Sequence, residues 1–197
     1  MHTIAFVSIL VIAGCGSSRA AVDAPATVVL VGDSIMVGAS QDVTKTLERE
    51  RWTVHVDAVG GSAILGSFAV VNWPERIDAI VKKQRPDAVV VELGTNDCGC
   101  AHTANGIDGI MKRLQTVDRV YWVNVREGSP IPDDPAAMNN AIEKAQDRWP
   151  NMHVIDYDKR FKGHTNWVQP DRIHPNERGN QELAKLIEAA LPRVRAS

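Results

Sequence analysis

The stretch Val28-Val29-Leu30-Val31-Gly32-Asp33-Ser34 constrains this chain more than any other. A short, continuous, β-branched run that stops at turn residues fits a strand buried on both faces, as in a parallel sheet. Parallel strands need crossovers, so helices must cover the sheet. Ligands of such sheets gather beyond the carboxyl ends of the strands, which makes Ser34 a candidate nucleophile. By itself Gly-Asp-Ser reads more readily as a helix cap, because Ser and Asp are common cap and turn residues. The rest of the chain decides between the two readings.

Downstream, helical and strand patterns alternate. A helix is expected from near Ser40 to Arg51, with Val43 and Leu47 on one face, and a strand over Thr53 to Ala58 that ends at Val59-Gly60-Gly61-Ser62. Asn72 and Pro74 announce a helix with an Ile77, Ile80, Val81 stripe. A third strand, Ala88 to Leu93, ends at Gly94-Thr95-Asn96-Asp97, and Ile107, Ile110, Met111 and Leu114 repeat at helical spacing. Val120 to Val125 is a fourth strand, and Asp134-Pro135 opens a helix carrying Met138, Ile142, Ala145 and Trp149. A fifth strand, His153 to Tyr157, precedes a loop with Asp171-Arg172-Ile173-His174-Pro175 and a closing helix marked by Leu183, Ile187 and Leu191. Five strands alternating with helices predict a three-layer α/β/α sandwich. Ser34, Gly61, Asn96 and the Asp171/His174 pair then all fall on its carboxyl edge.

A length of 197 residues, with 44% hydrophobic and 23% charged, suits one globular domain with a sizeable core. The net charge of -2 lacks the basic footprint that nucleic acid requires. At the amino terminus, Ile4 to Ala13 is an apolar run too short for a bilayer, which takes about 20 residues, but suited to the core of a secretory signal. It ends at Ile12-Ala13-Gly14-Cys15, which resembles a bacterial lipobox. That resemblance implies a signal peptide over 1–14, a lipidated Cys15 anchoring the chain to the outer face of the membrane, a tether over 15–26 and a folded domain over 27–197. Met1-His2-Thr3 departs from the pattern in lacking Lys or Arg, and Ile12 stands where leucine is commoner. The alternatives are a plain signal cleaved near Ala20-Ala21, giving a secreted or periplasmic protein, and a native amino-terminal helix.

A serine hydroxyl is a weak nucleophile until a base takes its proton. His174 has an aspartate three residues before it, a spacing that lets Asp171 orient the imidazole. Acyl transfer also needs donors for the oxyanion, and the Ser34 N–H, the Gly61 N–H and the Asn96 amide share the required edge. Each has a plain structural reading alone; their coincidence does not. The four blocks Gly32-Asp33-Ser34, Gly60-Gly61, Gly94-Thr95-Asn96-Asp97 and Asp171-Arg172-Ile173-His174-Pro175 together resemble the SGNH, or GDSL-like, hydrolases over about Thr27 to Leu191. The resemblance implies a flavodoxin-like five-stranded parallel sheet and hydrolysis of esters or thioesters through an acyl-serine. Ser34, Asp171 and His174 would be the triad, and Ser34, Gly61 and Asn96 the oxyanion hole. Between Gly60 and Gly61 the second is chosen on spacing alone.

The nucleophile-elbow motif of the other large serine-hydrolase fold is absent, since Met36 stands at its second glycine. Asp133-Asp134 is read as loop and cap. Arg126, leaving the fourth strand at the functional edge, is a candidate partner for an anionic substrate group, and Trp167 a candidate pocket wall, as is Trp73. Cys98-Gly99-Cys100 and His102 supply three soft ligands and no fourth, so a disulfide between Cys98 and Cys100, or free thiols, is favoured over zinc. No cofactor is implied. The expectation is an exported serine esterase acting on small acylated substrates of the cell envelope, carbohydrate or lipid, with no nucleic-acid partner. The rivals are an envelope carbohydrate O-acyltransferase or O-deacetylase, and a catalytically silent envelope-binding module.

Overall fold

The structure is a computed structural model that describes residues 26–65, 71–99 and 102–194. The expected signal peptide, Cys15 and Cys100 lie outside the described residues. Strands β1 (Thr27–Gly32), β2 (Thr53–Ala58), β3 (Ala88–Glu92), β4 (Arg119–Val123) and β5 (Met152–Ile155) form one all-parallel sheet in the order β2-β1-β3-β4-β5. Helices α1 (Ser34–Arg49), α2 (Trp73–Gln84), α3 (Thr103–Arg113), α4 (Pro135–Arg148), α5 (Tyr157–Phe161) and α6 (Glu177–Ala190) cover it.

The continuous apolar runs follow from burial on both faces. Val28, Leu30, Ala88 and Val90 point into a core shared with α1, α5 and α6, while Val29, Val31, Val89 and Val91 point into a second core under α2, α3 and α4. Edge strand β2 has no fully buried residue: Val54 and Ala58 pack against the first core, while Val56 is exposed. From β1 the chain moves to β2 on one side and returns to β3 on the other. The carboxyl ends of β1 and β3 therefore flank a topological switch point, where a crevice opens in sheets of this kind.

Several element limits differ from the sequence-based expectation. Helix α1 begins at Ser34 rather than near Ser40, because Asp33 caps it: Asp33 Oδ1 accepts the Ile35 N–H at 2.9 Å, and Ile35 and Met36 are buried. Strand β5 stops at Ile155, where Asp156 caps the short helix α5, which the pattern did not reveal. Strands β3 and β4 end at Glu92 and Val123, short of Leu93 and Val125. Asn72 and Asp134 cap α2 and α4 as expected, each with proline in the first turn.

Candidate active site

Ser34 occupies the first turn of α1, directly beyond β1. Its partner arrives from a distant part of the chain. Helix α6 packs along α1, and Asn180 Nδ2 of α6 donates to the Gly38 carbonyl at 3.1 Å, which brings the segment before α6 over Ser34. That segment is framed by main-chain bonds: Gln169 N–H to the His174 carbonyl at 2.8 Å and Asn176 N–H to the Trp167 carbonyl at 2.9 Å. Arg172 turns it with a left-handed φ of 60°.

The result is a chain of contacts across the crevice. His174 Nε2 lies 2.9 Å from Ser34 Oγ, and His174 Nδ1 lies 2.8 Å from Asp171 Oδ2. Asp171 Oδ1 accepts the main-chain N–H groups of Ile173 at 2.8 Å and His174 at 3.1 Å. These bonds, the His174 side chain first, hold the Asp171 carboxyl at about 2, so it remains an anion at working pH. A hydroxyl, an imidazole and a carboxylate thus stand in order at hydrogen-bond distance, an arrangement chemically able to deprotonate a serine during attack.

Asn96, just past β3, ties three of the sequence blocks together. Its Nδ2 donates to Asp33 Oδ2 at 3.2 Å and to the Ser62 carbonyl at 2.9 Å. Both amide hydrogens are engaged in the resting site, so an oxyanion must share one of them or displace Ser62. The Ser62 segment is a β-turn closed by Ser62 N–H to the Val59 carbonyl at 3.2 Å, with Gly61 at the position that requires positive φ, here +72°. Gly60 stands beside Ser34: a Cβ there would lie 3.9 Å from Ser34 Cβ, and one on Gly61 would meet nothing within 4 Å.

Three carboxyl groups under the site were given no role by the sequence reading. Asp97 is a clamp, its Oδ2 accepting the Ile64 N–H at 2.9 Å and its Oδ1 the Leu65 N–H at 3.0 Å, which holds the segment after Gly61. Burial raises its carboxyl above the usual range. Asp33 and Glu92 are 0% and 3% exposed and within hydrogen-bond reach of one another. Burial pushes Asp33 up to about 6. Burial and the neighbouring Asp33 charge push Glu92 well above the usual range.

The remaining candidates sort as follows. Arg126 donates through Nη2 to the Arg172 carbonyl, so it anchors the Asp171–His174 segment. It also borders a cavity of about 660 Å³ behind that segment, together with Phe161, Lys162, Gln169 and Arg172. Trp167, expected to wall a pocket, packs in the core edge-on to Phe161 with His164 stacked on its outer face. Trp73 is fully buried as well. Cys98 takes part in a disulfide, and its partner falls outside the described residues.

Comparison with known proteins agrees with this architecture. The family described as GDSL-like lipase/acylhydrolase matches residues 30–182. O-acetyltransferase OatA of Staphylococcus aureus (strain NCTC 8325 / PS 47) is 29% identical over 159 residues, which is 80% of this chain. The chain spans only about a quarter, 24%, of the length of that relative. Among solved structures, the C-terminal catalytic domain of Streptococcus pneumoniae peptidoglycan O-acetyltransferase A, carrying a methylsulfonyl adduct, superposes with a TM-score of 0.66 at 18% identity, covering 86% of this chain and 94% of that one. TesA superposes with a TM-score of 0.67 at 21% identity, covering 86% and 99%. At these identities the two structures speak for the fold.

Proposed function

The chain belongs to the GDSL-like lipase/acylhydrolase family and is an SGNH-type hydrolase; from that premise we propose that it is a serine esterase that removes small acyl groups through an acyl-serine. Ser34 attacks the ester carbonyl, His174 takes the hydroxyl proton and returns it to the leaving alcohol, and Asp171 holds the imidazole tautomer and stabilises the imidazolium. The Ser34 and Gly61 N–H groups and the Asn96 amide receive the oxyanion. Water, activated by His174, then releases the acid. The observation that carries this reading is the continuous Asp171–His174–Ser34 alignment, with gaps of 2.8 and 2.9 Å, beside the Asn96 amide.

A second reading has its own support. The curated relative is an O-acetyltransferase, so the same acyl-serine can be resolved by a carbohydrate hydroxyl instead of water. The chemistry differs only in which nucleophile enters the second step. Export and a lipid anchor on Cys15 belong to the same proposal, and among the described residues no helix is long and apolar enough to cross a membrane. A disulfide between Cys98 and Cys100 beside the site also remains a proposal.

The test is turnover of 4-nitrophenyl acetate by the wild type and by Ser34→Ala, with circular dichroism on both. Hydrolysis that disappears in folded Ser34→Ala supports the reading, and turnover that survives refutes it. Adding oligosaccharide acceptors and weighing acetate against acetylated sugar separates hydrolysis from transfer. Mass spectrometry of protein from its native membrane fraction decides the anchor: a mature chain starting near Ala21 removes it.

A further inference from the structure

The carboxyl groups of Asp33 and Glu92 are neighbours beneath Ser34, and neither belongs to the proton-transfer chain just described. Their surroundings are unequal. Asp33 caps α1, where the unpaired N–H groups of the first turn favour negative charge. It accepts from two donors, the Ile35 N–H at 2.9 Å and Asn96 Nδ2 at 3.2 Å. Glu92 accepts main-chain N–H groups, that of Met36 at 3.1 Å and that of Asp33, while the side-chain donor of Asn96 goes to Asp33. Two buried carboxylates in contact cannot both ionise, so one proton must stay between them.

We propose that this proton resides on Glu92, which donates it to the Asp33 carboxylate, and that the pair so polarised is a positioning device that aims the Asn96 amide. A carboxylate at Asp33 Oδ2 demands a donor opposite, which selects the orientation of Asn96 with Nδ2, not Oδ1, turned toward the site. Glu92 leaves β3 two residues before Gly94 and thus couples the two strand ends that flank the crevice: its main-chain carbonyl accepts the Asp33 N–H at 3.1 Å while its side chain reaches the first turn of α1. The directions of the acid shifts agree, since burial and the neighbouring Asp33 charge both raise Glu92, while the hydrogen bond from Glu92 lowers Asp33 against its burial. Other charged or titratable groups acting on the pair are His174 from the segment before α6, Asp97 past β3, and Tyr157 of α5, with Arg126 and Asp158 reaching Tyr157 in turn.

The device rests on the esterase reading only for its kinetic consequences, so one arm of the test is independent of activity. Both groups have folded pKa values above the ordinary ones, so the unfolded chain ionises them first as pH rises. Their contribution to stability is full below about pH 4 and is lost as pH rises through the raised values. In Glu92→Gln the amide supplies a permanent neutral donor and does not titrate. Between pH 5 and 7 the folding equilibrium constant of the wild type should then fall with pH more steeply than that of Glu92→Gln, by up to about tenfold per unit, the effect of one proton. Equal slopes overturn the proposal, because they mean Glu92 is ionised in the folded state.

The second arm reads kcat and KM on 4-nitrophenyl acetate for Glu92→Gln, Glu92→Leu and Asp33→Asn. A glutamine reproduces a neutral Glu92, so Glu92→Gln should exceed the kcat of Glu92→Leu, which cannot donate. Asp33→Asn puts an amide where a carboxylate is required. It should lower kcat by roughly a hundredfold, as when an oxyanion donor is lost, with a much smaller change in KM. The reverse ranking, with Asp33→Asn outperforming Glu92→Gln, puts the proton on Asp33 and refutes the assignment. If Glu92→Leu fails to fold, the comparison of Glu92→Gln with Asp33→Asn decides. Should Ser34→Ala keep wild-type turnover, the esterase reading falls and the pH slope alone judges the pair.

Discussion

Replacing Asp97 by alanine should both destabilise the domain and cripple the site, because one side chain holds two main-chain N–H groups of the segment that follows Gly61. The Ile64 N–H is fully enclosed and Ile64 itself is 4% exposed, so its loss of an acceptor carries the whole cost of an orphaned buried donor, about 1–3 kcal/mol. Leu65 is 39% exposed, so water can replace much of its bond, leaving up to about 1 kcal/mol. Removing a carboxyl whose burial is itself unfavourable returns part of this. The net expectation is a loss of about 1–3 kcal/mol, or roughly 2–12 °C in Tm for a domain of this size. Asp97→Asn should fall between alanine and wild type, since the amide offers one acceptor oxygen and one misplaced donor. Urea unfolding at pH 7 gives the stability. The same samples should show kcat reduced more than KM is raised, because the Ser62 carbonyl that anchors Asn96 moves with the segment. An alanine variant within about 0.5 kcal/mol of wild type, the range of an ordinary surface substitution, would show that Asp97 does not clamp the segment.

Asn96→Ala should lower kcat by about a hundred- to a thousandfold with KM little changed, since an oxyanion donor bonds the transition state more strongly than the ground state; steady-state kinetics showing a pure KM effect would contradict the assignment. Gly94→Ala should cost about 2–4 kcal/mol in urea unfolding, because residue 94 has φ +132° and a Cβ there would stand 2.6 Å from Met138 Cε; a neutral result would mean the turn relaxes freely. For Asp171, a folded value of about 2 lies below the ordinary 3.9, so its contribution is present above pH 4 and is lost as pH falls toward 2. The stability gap between wild type and Asp171→Asn, from urea midpoints at pH 5, 4 and 3, should therefore narrow on acidification, and a widening gap would refute the sign.

The fold class was legible because parallel sheets leave a strong local trace. Val28 to Val31 and Ala88 to Val91 are apolar at every position, which only burial on both faces explains. Ser34, Asn96, Asp171 and His174 could be nominated because each follows a strand or precedes the last helix within a compact motif. Helix α5 and the true start of α1 were missed, for one is five residues long and the other begins under a cap that reads as a turn. Trp167 could not be placed, because a tryptophan suits a pocket wall and a core equally until its neighbours, Phe161 and His164, are known. For Arg126 the sequence offered a substrate contact but not its anchoring bond, since its guanidinium meets the Arg172 carbonyl 46 positions away. Glu92 shows the limit most clearly. In sequence it is one acid at the end of an apolar run; only the pairing of β1 with β3, which sets Gly32 against Glu92, brings it beside Asp33. Local patterning determines which faces of a segment are buried, but the meeting of charges from separate strands depends on strand order and register, and those are decided only when the whole sheet assembles.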